Sequence, residues 1–261
     1  MLNEIITIVK NAGEIILKAQ DIQSTVENKE GRANFVTLYD KEVQSFLFSE
    51  LSKLYPSAVF IGEEEEDKEH AVDKLQSEYC FIIDPIDGTT NFILDYHHSA
   101  VSVALLYYGQ PAAGVVYDPY LNELFYSEKG TGAYLNGKPL KVSDLPLQEG
   151  LVAIGTCPYN REKAKEVFNL SYRLYERALD VRRTGSAALD ICYVAAGRFV
   201  LYFEPRLSPW DYAAAQLILT EAGGCISTME HLPLTYHNAI SAIAATPSAY
   251  EEFFTMISSE T

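Results

Sequence analysis

The sequence predicts a layered protein of the α/β (α+β) class, in which helices and β-sheets alternate. Three patterns indicate this class: helical periodicity at the start of the chain, β-rich runs in the first half, and alternating helix and strand patterns in the second half. The chain has 261 residues, 48% of them hydrophobic, which is enough for one large core or two tightly joined lobes. We expect a single domain whose two lobes cover about 1–145 and 146–261.

Helical periodicity comes first along the chain. Apolar residues recur at helical spacing in 2–19 and again in 40–55, so both segments are predicted to be amphipathic helices. Two apolar runs follow, at 58–62 and 79–84, and the second is apolar on both faces, as a central strand would be. From residue 99 to residue 135, β-rich runs divided by Gly, Pro and Asn turns predict a meander.

The second half alternates between helix and strand patterns. The predicted elements are, in chain order, a long helix at 161–179, a short extended piece at 180–185, a helix at 186–197, a strand at 198–204, a helix at 208–224, and a final strand with its helix at 240–257. The helix at 208–224 carries signals at both ends. Ser208 fits its N-cap, Pro209 its first turn, and Gly223 with Gly224 its stop.

Composition excludes several classes of protein. The formal charge is −16, and so acidic a surface repels phosphate groups, so we expect no direct contact with nucleic acid and none with membranes. The first twenty residues are interrupted by Glu4, Lys10 and Glu14 and do not form a signal peptide. The four cysteines show no CxxC spacing and are interpreted as reduced thiols of a cytoplasmic protein. An acidic protein that handles an anionic substrate would need metal cations as intermediaries.

The stretch FIIDPIDGTTNF, residues 81–92, places two aspartates where an apolar run ends. Asp84 closes the run, Pro85 cannot donate to a strand ladder, and Asp87 followed by glycine favours a tight turn. Two carboxylates about 4 Å apart would repel by about 4 kcal/mol at an effective dielectric constant near 20. Such repulsion persists only where a proton or a cation removes it, and hard divalent cations prefer carboxylate and carbonyl oxygens.

The residues around these aspartates fit a metal and phosphate site, and they also fit an ordinary turn. The Ile86 carbonyl lies between the aspartates and could be a further metal ligand. Gly88, Thr89 and Thr90 could open a helix whose free N–H groups face a phosphate. An Asp-Gly turn with an aspartate cap explains the same residues about as well, so both interpretations stay open.

Three more acids stand at the boundaries of predicted elements. Glu63 directly follows the apolar run VFIG, whereas the acids from Glu65 onward are interpreted as a solvated loop. Asp211 is at the N3 position after Ser208, where an acid stabilises a helix start without any further role. Asp40, near a helix start, has the same alternative explanation. Site residues are often found where an element begins or ends, so we keep all three as candidates.

Other catalytic motifs are missing from the sequence. The five histidines form no HExxH pattern, and TGSAA at 184–188 is not a GxSxG nucleophile elbow. No GxxxxGK[ST] phosphate loop occurs. The arginine pair RR at 182–183 is too short for a nucleic-acid patch.

Three motifs in order, GEE at 62–64, DPIDGTTNF at 84–92 and PWDYAAAQLILTEAGG at 209–224, resemble the inositol monophosphatase family. The resemblance covers nearly the whole chain. It implies the αβαβα sandwich of the sugar phosphatases, a single inositol monophosphatase-like domain, and a homodimer. It also implies a lithium-sensitive, Mg²⁺-dependent phosphomonoesterase that uses two to three ions per site.

The resemblance assigns roles to matching residues. Glu63, Asp84 and the Ile86 carbonyl resemble the ligands of a first Mg²⁺, Asp84, Asp87 and Asp211 those of a second, and Glu63 would reach a third ion through water. Asp40 and Thr89 resemble the pair that orients the attacking water, with Glu63 beside them. The residues implied in substrate binding are Lys29, Asp87, Gly88, Thr89, Gly185, Ser186, Ala187, Glu204 and Asp211.

The resemblance leaves the substrate open. Inositol 1-phosphate is the first candidate; relatives use fructose 1,6-bisphosphate, histidinol phosphate or adenosine 3′,5′-bisphosphate with the same chemistry. Many family members carry histidine where this chain has Leu94, and animal inositol phosphatases carry histidine where it has Ser208. Neither change removes a metal ligand, but both weaken the case for inositol monophosphate. A different class, an interaction protein that keeps a vestigial metal site, is the further alternative.

Overall fold

A computed structural model describes residues 2–29, 33–64, 71–158 and 161–258, and its elements form five layers. The helices are α1 (Leu2–Leu17), α2 (Leu38–Leu54), α3 (Ala71–Leu75), α4 (Thr89–Ile93), α5 (Ala164–Tyr175), α6 (Ala187–Ala195), α7 (Pro209–Glu221) and α8 (Pro247–Ser258). The strands are β1 (Glu27–Asn28), β2 (Phe35–Val36), β3 (Val59–Gly62), β4 (Tyr79–Asp87), β5 (Ala100–Tyr107), β6 (Gln110–Asp118), β7 (Glu123–Glu128), β8 (Ala133–Leu135), β9 (Lys138–Pro139), β10 (Leu151–Ile154), β11 (Asp180–Arg182), β12 (Leu201–Leu207), β13 (Cys225–Ser227) and β14 (Ile240–Ala245).

The larger sheet has seven strands in sequential order from β3 to β9. β3 runs parallel to β4, and every later neighbour is antiparallel. The meander predicted for 99–135 is confirmed, because β5 to β8 follow one another as hairpins. β4 has neighbours on both sides, as its two apolar faces predicted.

The smaller sheet has five strands in the order β11-β10-β12-β14-β13. β10 is parallel to both of its neighbours, whereas β14 is antiparallel to both of its own. β10 and β13 were not predicted from the sequence. Both strands are short, and β10 lies between two glycines (Gly150 and Gly155), so its apolar run is too brief to show a strand pattern.

The helices fill the layers around these two sheets. α1 and α2 cover the outer face of the seven-stranded sheet, and α5 and α8 cover the outer face of the five-stranded sheet. α6 and α7 lie between the sheets and share a core with both of them. This is the αβαβα arrangement that the family resemblance implied. The division into lobes near residue 145 stays a prediction.

Several predicted boundaries were wrong by a few residues. α2 begins before Asp40, because Thr37 is the N-cap and its hydroxyl accepts from the Tyr39 N–H at 3.1 Å. β12 begins later than predicted, because the Arg198 N–H still donates to the Tyr193 carbonyl at the end of α6. α3, between β3 and β4, was not predicted, while 65–70, in the segment interpreted as a solvated loop, lie outside the described residues. None of the helices in the described part of the chain combines the length and apolar composition of a membrane span.

Candidate active site

A cleft of about 310 Å³ opens at the C-terminal end of β4. Its walls are formed by the ends of β3 and β4, the start of α4, strand β12, the connection between β11 and α6, and the first turn of α7. The predicted site residues that line it are Glu63, Asp84, Ile86, Asp87, Gly88, Thr89, Gly185, Ser186, Ala187, Glu204 and Asp211. Lys29 and Asp40 lie behind this wall, and each contacts one lining residue.

A β-bulge in β4 separates the two aspartates. Asp84 pairs with Ser102 and Asp87 pairs with Ala100, so two residues of β4 oppose a single residue of β5 between these pairs. The apolar run and Pro85 predicted that the strand ends at Asp84. That boundary was wrong: β4 continues to Asp87, since a proline is tolerated at a bulge, where no ladder donor is required.

The bulge decides which face of the sheet carries the second carboxylate. In a regular strand, residues three apart point to opposite faces. The extra residue reverses the alternation, because Ile82 packs in the core with α6 and α7 whereas Ile86 packs in the core with α1 and α2. Asp84 and Asp87 therefore share one face. The Ile86 N–H donates to Asp84 Oδ1 at 3.0 Å and stabilises this geometry.

A third carboxylate comes from the first turn of α7. Ligand oxygens of Asp84, Asp87 and Asp211 all lie within 4.8 Å of one another. The Ser208 N–H donates to Asp211 Oδ2 at 2.7 Å, so the same carboxylate also satisfies the helix start. A carboxylate has two oxygens, so the helix-cap interpretation and the metal-site interpretation are compatible.

Burial and mutual repulsion raise the pKa values of these three carboxyl groups. Burial, and then Glu63, Asp87 and Asp211, raise the pKa of Asp84 well above its ordinary value. Burial, and then repulsion from Asp87, raise the pKa of Asp211 well above its ordinary value. For Asp87, burial raises the pKa to about 6 although hydrogen bonds oppose it. A bound hard cation such as Mg²⁺ would remove this repulsion, so the donor set fits a divalent metal.

The Asp87 carboxylate also holds the start of α6. The Ser186 hydroxyl and the Ala188 N–H, the latter at 2.8 Å, both donate to Asp87 Oδ2. These contacts join the seven-stranded sheet to the helix layer that follows it. An acid at a helix N-terminus is stabilised by the free N–H groups there, which offsets part of its burial.

Asp40 and Thr89 meet at the side of the cleft. The Thr89 hydroxyl lies 3.3 Å from Asp40 Oδ1 and 3.1 Å from the Ile86 carbonyl. The other Asp40 oxygen accepts from the Thr37 N–H at 2.7 Å and completes the capping box of α2. Burial raises the pKa of Asp40 to about 6, so at neutral pH it is mostly ionised and can accept a proton.

Glu63 lies apart from the three-carboxylate group. Its Oε1 accepts from Lys29 Nζ at 3.1 Å, and the same ammonium contacts Glu64 Oε1 at 2.5 Å. Glu63 still acts electrostatically on Asp84. Burial raises the pKa of Glu64 to about 7. The contact of Glu64 with Lys29 was not predicted, because the two residues are far apart in sequence and no local pattern links them.

Two glycines bring the α4 loop against the loop before α6. Gly88 has φ +92°, and a side chain there would approach the carbonyl oxygens of His98 and Gly185 at 3.1 and 3.2 Å. The Asn91 amide links the same loops, because it donates to the carbonyls of His98 at 2.8 Å and Thr184 at 2.9 Å. The sequence analysis quoted Asn91 in a motif but gave it no role.

Glu204 lines the side of the cleft formed by the five-stranded sheet. Its Oε1 accepts from the Cys157 N–H at 2.8 Å and its Oε2 from the Tyr202 hydroxyl at 2.7 Å. A side chain at Gly155 would come within 2.2 Å of the Glu204 carboxyl. Glycine at 155 therefore leaves the space that Glu204 occupies.

Three charged residues of the cleft wall were not predicted from the sequence. Asp190 is buried, and its carboxylate oxygens lie 2.7 Å from the Thr184 hydroxyl. Arg183 and Arg206 bring positive charge to the same cleft. Asp190 gave no signal because it follows an apolar helix start, and the arginine pair had been considered only as a nucleic-acid patch.

Comparison with known proteins identifies the family. The model described as the inositol monophosphatase family matches residues 1–260. The chain belongs to the inositol monophosphatase family. Membership in this family supports a phosphatase that acts on a small phosphorylated substrate and uses a bound metal.

Relatives within the inositol monophosphatase family agree over most of the chain. "Nus factor SuhB" of Escherichia coli K12 is 40% identical over 229 residues, 87% of this chain and 84% of the relative. "Inositol monophosphatase 2" of Saccharomyces cerevisiae is 40% identical over 208 residues, 76% of this chain and 70% of the relative. The crystal structure of extragenic suppressor protein suhB from Bartonella henselae superposes with a TM-score of 0.88 at 31% identity, covering 97% and 96% of the two chains.

Proposed function

We propose that this protein is a Mg²⁺-dependent phosphomonoesterase that hydrolyses a small polyol phosphate, with inositol 1-phosphate as the first candidate. The observation that carries the proposal is the group of three carboxylates, two buried and one half-buried, with oxygens within 4.8 Å of one another, beside the Asp40 and Thr89 pair. Family membership supports the same class of reaction. Fructose 1,6-bisphosphate, histidinol phosphate and adenosine 3′,5′-bisphosphate are the alternative substrates.

The proposed metal ligands are the acids that the bulge and α7 bring together. Asp84, Asp87 and Asp211 would hold one ion, and Glu63, Asp84 and the Ile86 carbonyl would hold another, with Glu63 also reaching a third. When bound, Mg²⁺ supplies positive charge for the phosphate dianion and lowers the pKa of a water molecule. The protein side chains arrange and desolvate the site before the substrate arrives.

Asp40 and Thr89 are proposed to position the attacking water. The Thr89 hydroxyl can donate its proton to Asp40 Oδ1, 3.3 Å away, which leaves its own oxygen to accept from a water. Asp40 is ionised above about pH 6 and can take the proton that Thr89 passes on. Correct placement of a nucleophile is itself worth several orders of magnitude in rate.

The remaining predicted residues are proposed to bind the substrate. Backbone N–H groups of Gly88 and Thr89 would contact the phosphate. Gly185, Ser186, Ala187 and Glu204 line the opposite side of the cleft, where the alcohol would lie. Arg183, Arg206 and Lys29 add positive charge that attracts an anion to an otherwise acidic protein.

A phosphate-release assay tests this function. The purified protein is incubated with Mg²⁺ and each of the four candidate substrates, and released phosphate is measured. We expect Asp87→Asn to reduce kcat/KM by more than about 100-fold, because a metal ligand is lost while the side-chain volume stays the same. Asp144→Asn, an exposed acid outside the cleft, is the matched control and should retain full activity. Release by Asp87→Asn at the unaltered rate would refute the assignment.

An interaction protein with a vestigial metal site is the second candidate. It is favoured by one observation, that relatives 40% identical to this chain bear the name Nus factor. Calorimetry with Mg²⁺ and a turnover assay separate the two proposals. Metal binding with turnover of any of the four esters supports the hydrolase, whereas the absence of turnover with all four supports the interaction protein.

Three further properties are proposed on the family resemblance. The working form is a homodimer, the protein acts in the cytoplasm, and Li⁺ inhibits it. Sedimentation velocity measures the first of these, fractionation of cells the second, and the phosphate-release assay with added LiCl the third.

A further inference from the structure

A second cleft, of about 220 Å³, lies at the opposite end of β4 from the acids. We call it the tyrosine cleft; its walls include Leu2, Ile5, Tyr55, Tyr79, Tyr107 and Glu128. Asp84 is the fifth residue after Tyr79 along β4, which is roughly 17 Å of strand. We propose that the tyrosine cleft binds a small protonated alkylamine.

Aromatic rings form a continuous surface at this cleft. The ring centroids of Tyr55 and Tyr79 are 5.1 Å apart, and those of Tyr79 and Tyr107 are 5.5 Å apart. Tyr108 packs edge-on against Tyr107 at 4.7 Å and extends the series to the surface. Tyr107 is 47% exposed, so its ring is accessible at the mouth. Ring faces of this kind attract cations through the negative charge of the π-system.

The Tyr55 hydroxyl is the second observation that points to a ligand. Tyr55 is only 6% exposed, and among the described residues its hydroxyl has no hydrogen-bond partner. Native structures pair most buried polar groups, since leaving one unpaired is unfavourable. An ammonium N–H can donate to this oxygen. A tyrosine hydroxyl can accept as well as donate, so for a cationic ligand an N–H group would pair with this oxygen, whereas a fully substituted nitrogen would not.

The charged residues around the tyrosine cleft determine which sign of charge a ligand can carry. Glu128 lines the cleft, and Glu4 on α1 acts electrostatically on Tyr55 together with Glu128. The Glu128 carboxylate, in a wall with aromatic rings, attracts a cation and repels phosphate or carboxylate. The tyrosine cleft is thus complementary to a positive ligand, whereas the catalytic cleft is arranged for an anionic one.

Size narrows the ligand further. Clefts for drug-sized molecules have volumes of about 300 to 1,000 Å³, and this one is smaller. The apolar walls of Leu2 and Ile5 suit a short methylene chain. A linear amine or diamine with a few carbons fits these features, while a nucleotide or a lipid does not.

Titration calorimetry with 1,4-diaminobutane tests the proposal, with saturating Mg²⁺ present to occupy the catalytic acids. We expect saturable binding of the diamine and none of 1,4-butanediol, which has a similar shape and no charge. Tetramethylammonium should bind more weakly than the diamine, because it cannot donate to Tyr55. Absence of saturable diamine binding, or equal binding of butanediol, would overturn the proposal.

Variants locate the binding to this cleft. Tyr55→Phe removes the acceptor and keeps the ring, and Glu128→Gln removes one charge; each should weaken diamine binding about tenfold. Tyr175→Phe and Glu42→Gln make the same changes at exposed positions elsewhere and should leave binding unchanged. Loss of binding in Asp87→Asn with retention in Tyr55→Phe and Glu128→Gln would place the diamine in the catalytic cleft and refute the tyrosine cleft. This outcome is independent of phosphatase activity.

Discussion

The two ends of β4 bury opposite kinds of side chain: the N-terminal end buries aromatic rings, and the C-terminal end buries carboxylates. At the N-terminal end, Phe81 is fully buried, stacks on Phe60 at 5.6 Å and packs edge-on against Tyr55 at 5.3 Å. At the C-terminal end, Asp84 and Asp87 are buried beside each other across an interrupted ladder. The first arrangement lowers the free energy of the fold, and the second raises it.

The contrast shows where a protein of this kind places its unfavourable interactions. Regular pairing and apolar contacts continue up to Ile83, and the irregular backbone begins where the carboxylates begin. Buried like charges are unfavourable until a cation or proton arrives, so they mark a site prepared for a ligand. Substitutions at the two ends should therefore separate stability from activity.

The largest expected effect is on stability, at the apolar end. Phe81→Ala removes a buried ring and should lower the free energy of unfolding by about 3–5 kcal/mol. The kcat of the folded fraction should stay the same, because the ring packs against α1 and α2, on the face of the sheet opposite to the acids. Urea unfolding followed by circular dichroism measures the change, and Phe168→Ala on the exposed side of α5 is the control, with an expected change below about 0.5 kcal/mol. A fall in kcat without a fall in stability would break the comparison.

The second effect is a pH dependence at the acidic end. Burial raises the pKa of Asp87 from 3.8 to about 6, so the folded state holds this proton more tightly than the unfolded state. The stabilisation is complete below about pH 4 and is lost as pH rises through about 6, on the order of 3 kcal/mol. Without Mg²⁺, wild type should lose stability relative to Asp87→Asn across this range.

Unfolding measured at several pH values, with and without Mg²⁺, checks this dependence. Addition of Mg²⁺ at pH 7 should stabilise wild type more than Asp87→Asn, because the cation replaces the proton. A constant difference between the two proteins from pH 4 to pH 7 would contradict the raised pKa.

A third effect isolates chemistry from metal binding. Thr89→Ala removes the hydroxyl that contacts Asp40 and should reduce kcat by about 10- to 100-fold, or about 1.4–2.7 kcal/mol of barrier. The Mg²⁺ affinity should change by less than about twofold, since the proposed ligands are carboxylates and a backbone carbonyl. Thr89→Ser keeps a hydroxyl and should restore most of the rate. A large loss of Mg²⁺ affinity in Thr89→Ala would show that Thr89 acts on the metal instead.

The smallest expected effect concerns the Lys29 ammonium beside Glu63 and Glu64. Lys29 contacts Glu63 and Glu64, and its side chain is partly exposed, so the pair interactions contribute less than about 1 kcal/mol. Lys29→Met should lower the Mg²⁺ concentration for half-maximal activity by a few-fold, because a competing cation is lost. Lys41→Met breaks an exposed pair with Glu27 and should have no such effect. An increase in the Mg²⁺ requirement would show that Lys29 supports the site.

Much of the architecture could be predicted from the sequence, because its long elements have strong periodic patterns. α1, α7 and the hairpins from β5 to β8 follow from apolar spacing and from turn residues. β10 and β13 could not be predicted, because strands this short have no distinct period and become strands through their neighbours in the sheet. The layer order came from the family resemblance, since local patterns do not specify how elements pack.

The candidate site was predictable in composition but not in geometry. Asp84, Asp87 and Asp211 were singled out by their positions at element ends. That Asp84 and Asp87 share one face of the sheet depends on a bulge, whereas Pro85 predicted only the end of a strand. Asn91 contacts Thr184, which lies far along the chain, and a local sequence pattern cannot predict such a contact. Asp190 contacts Thr184 only six residues away, but it lies in an apolar helix start that gave no sign of a site residue.

The bulge in β4 also makes the site depend on the number of residues between its two aspartates. A point substitution at Pro85 leaves that spacing intact. Any local change in the backbone that it causes can therefore be compensated by further substitutions. Deletion of one residue from this segment would restore regular alternation and turn Asp87 toward the apolar layer beneath α1 and α2. We therefore expect this segment to tolerate changes of identity and to reject changes of length.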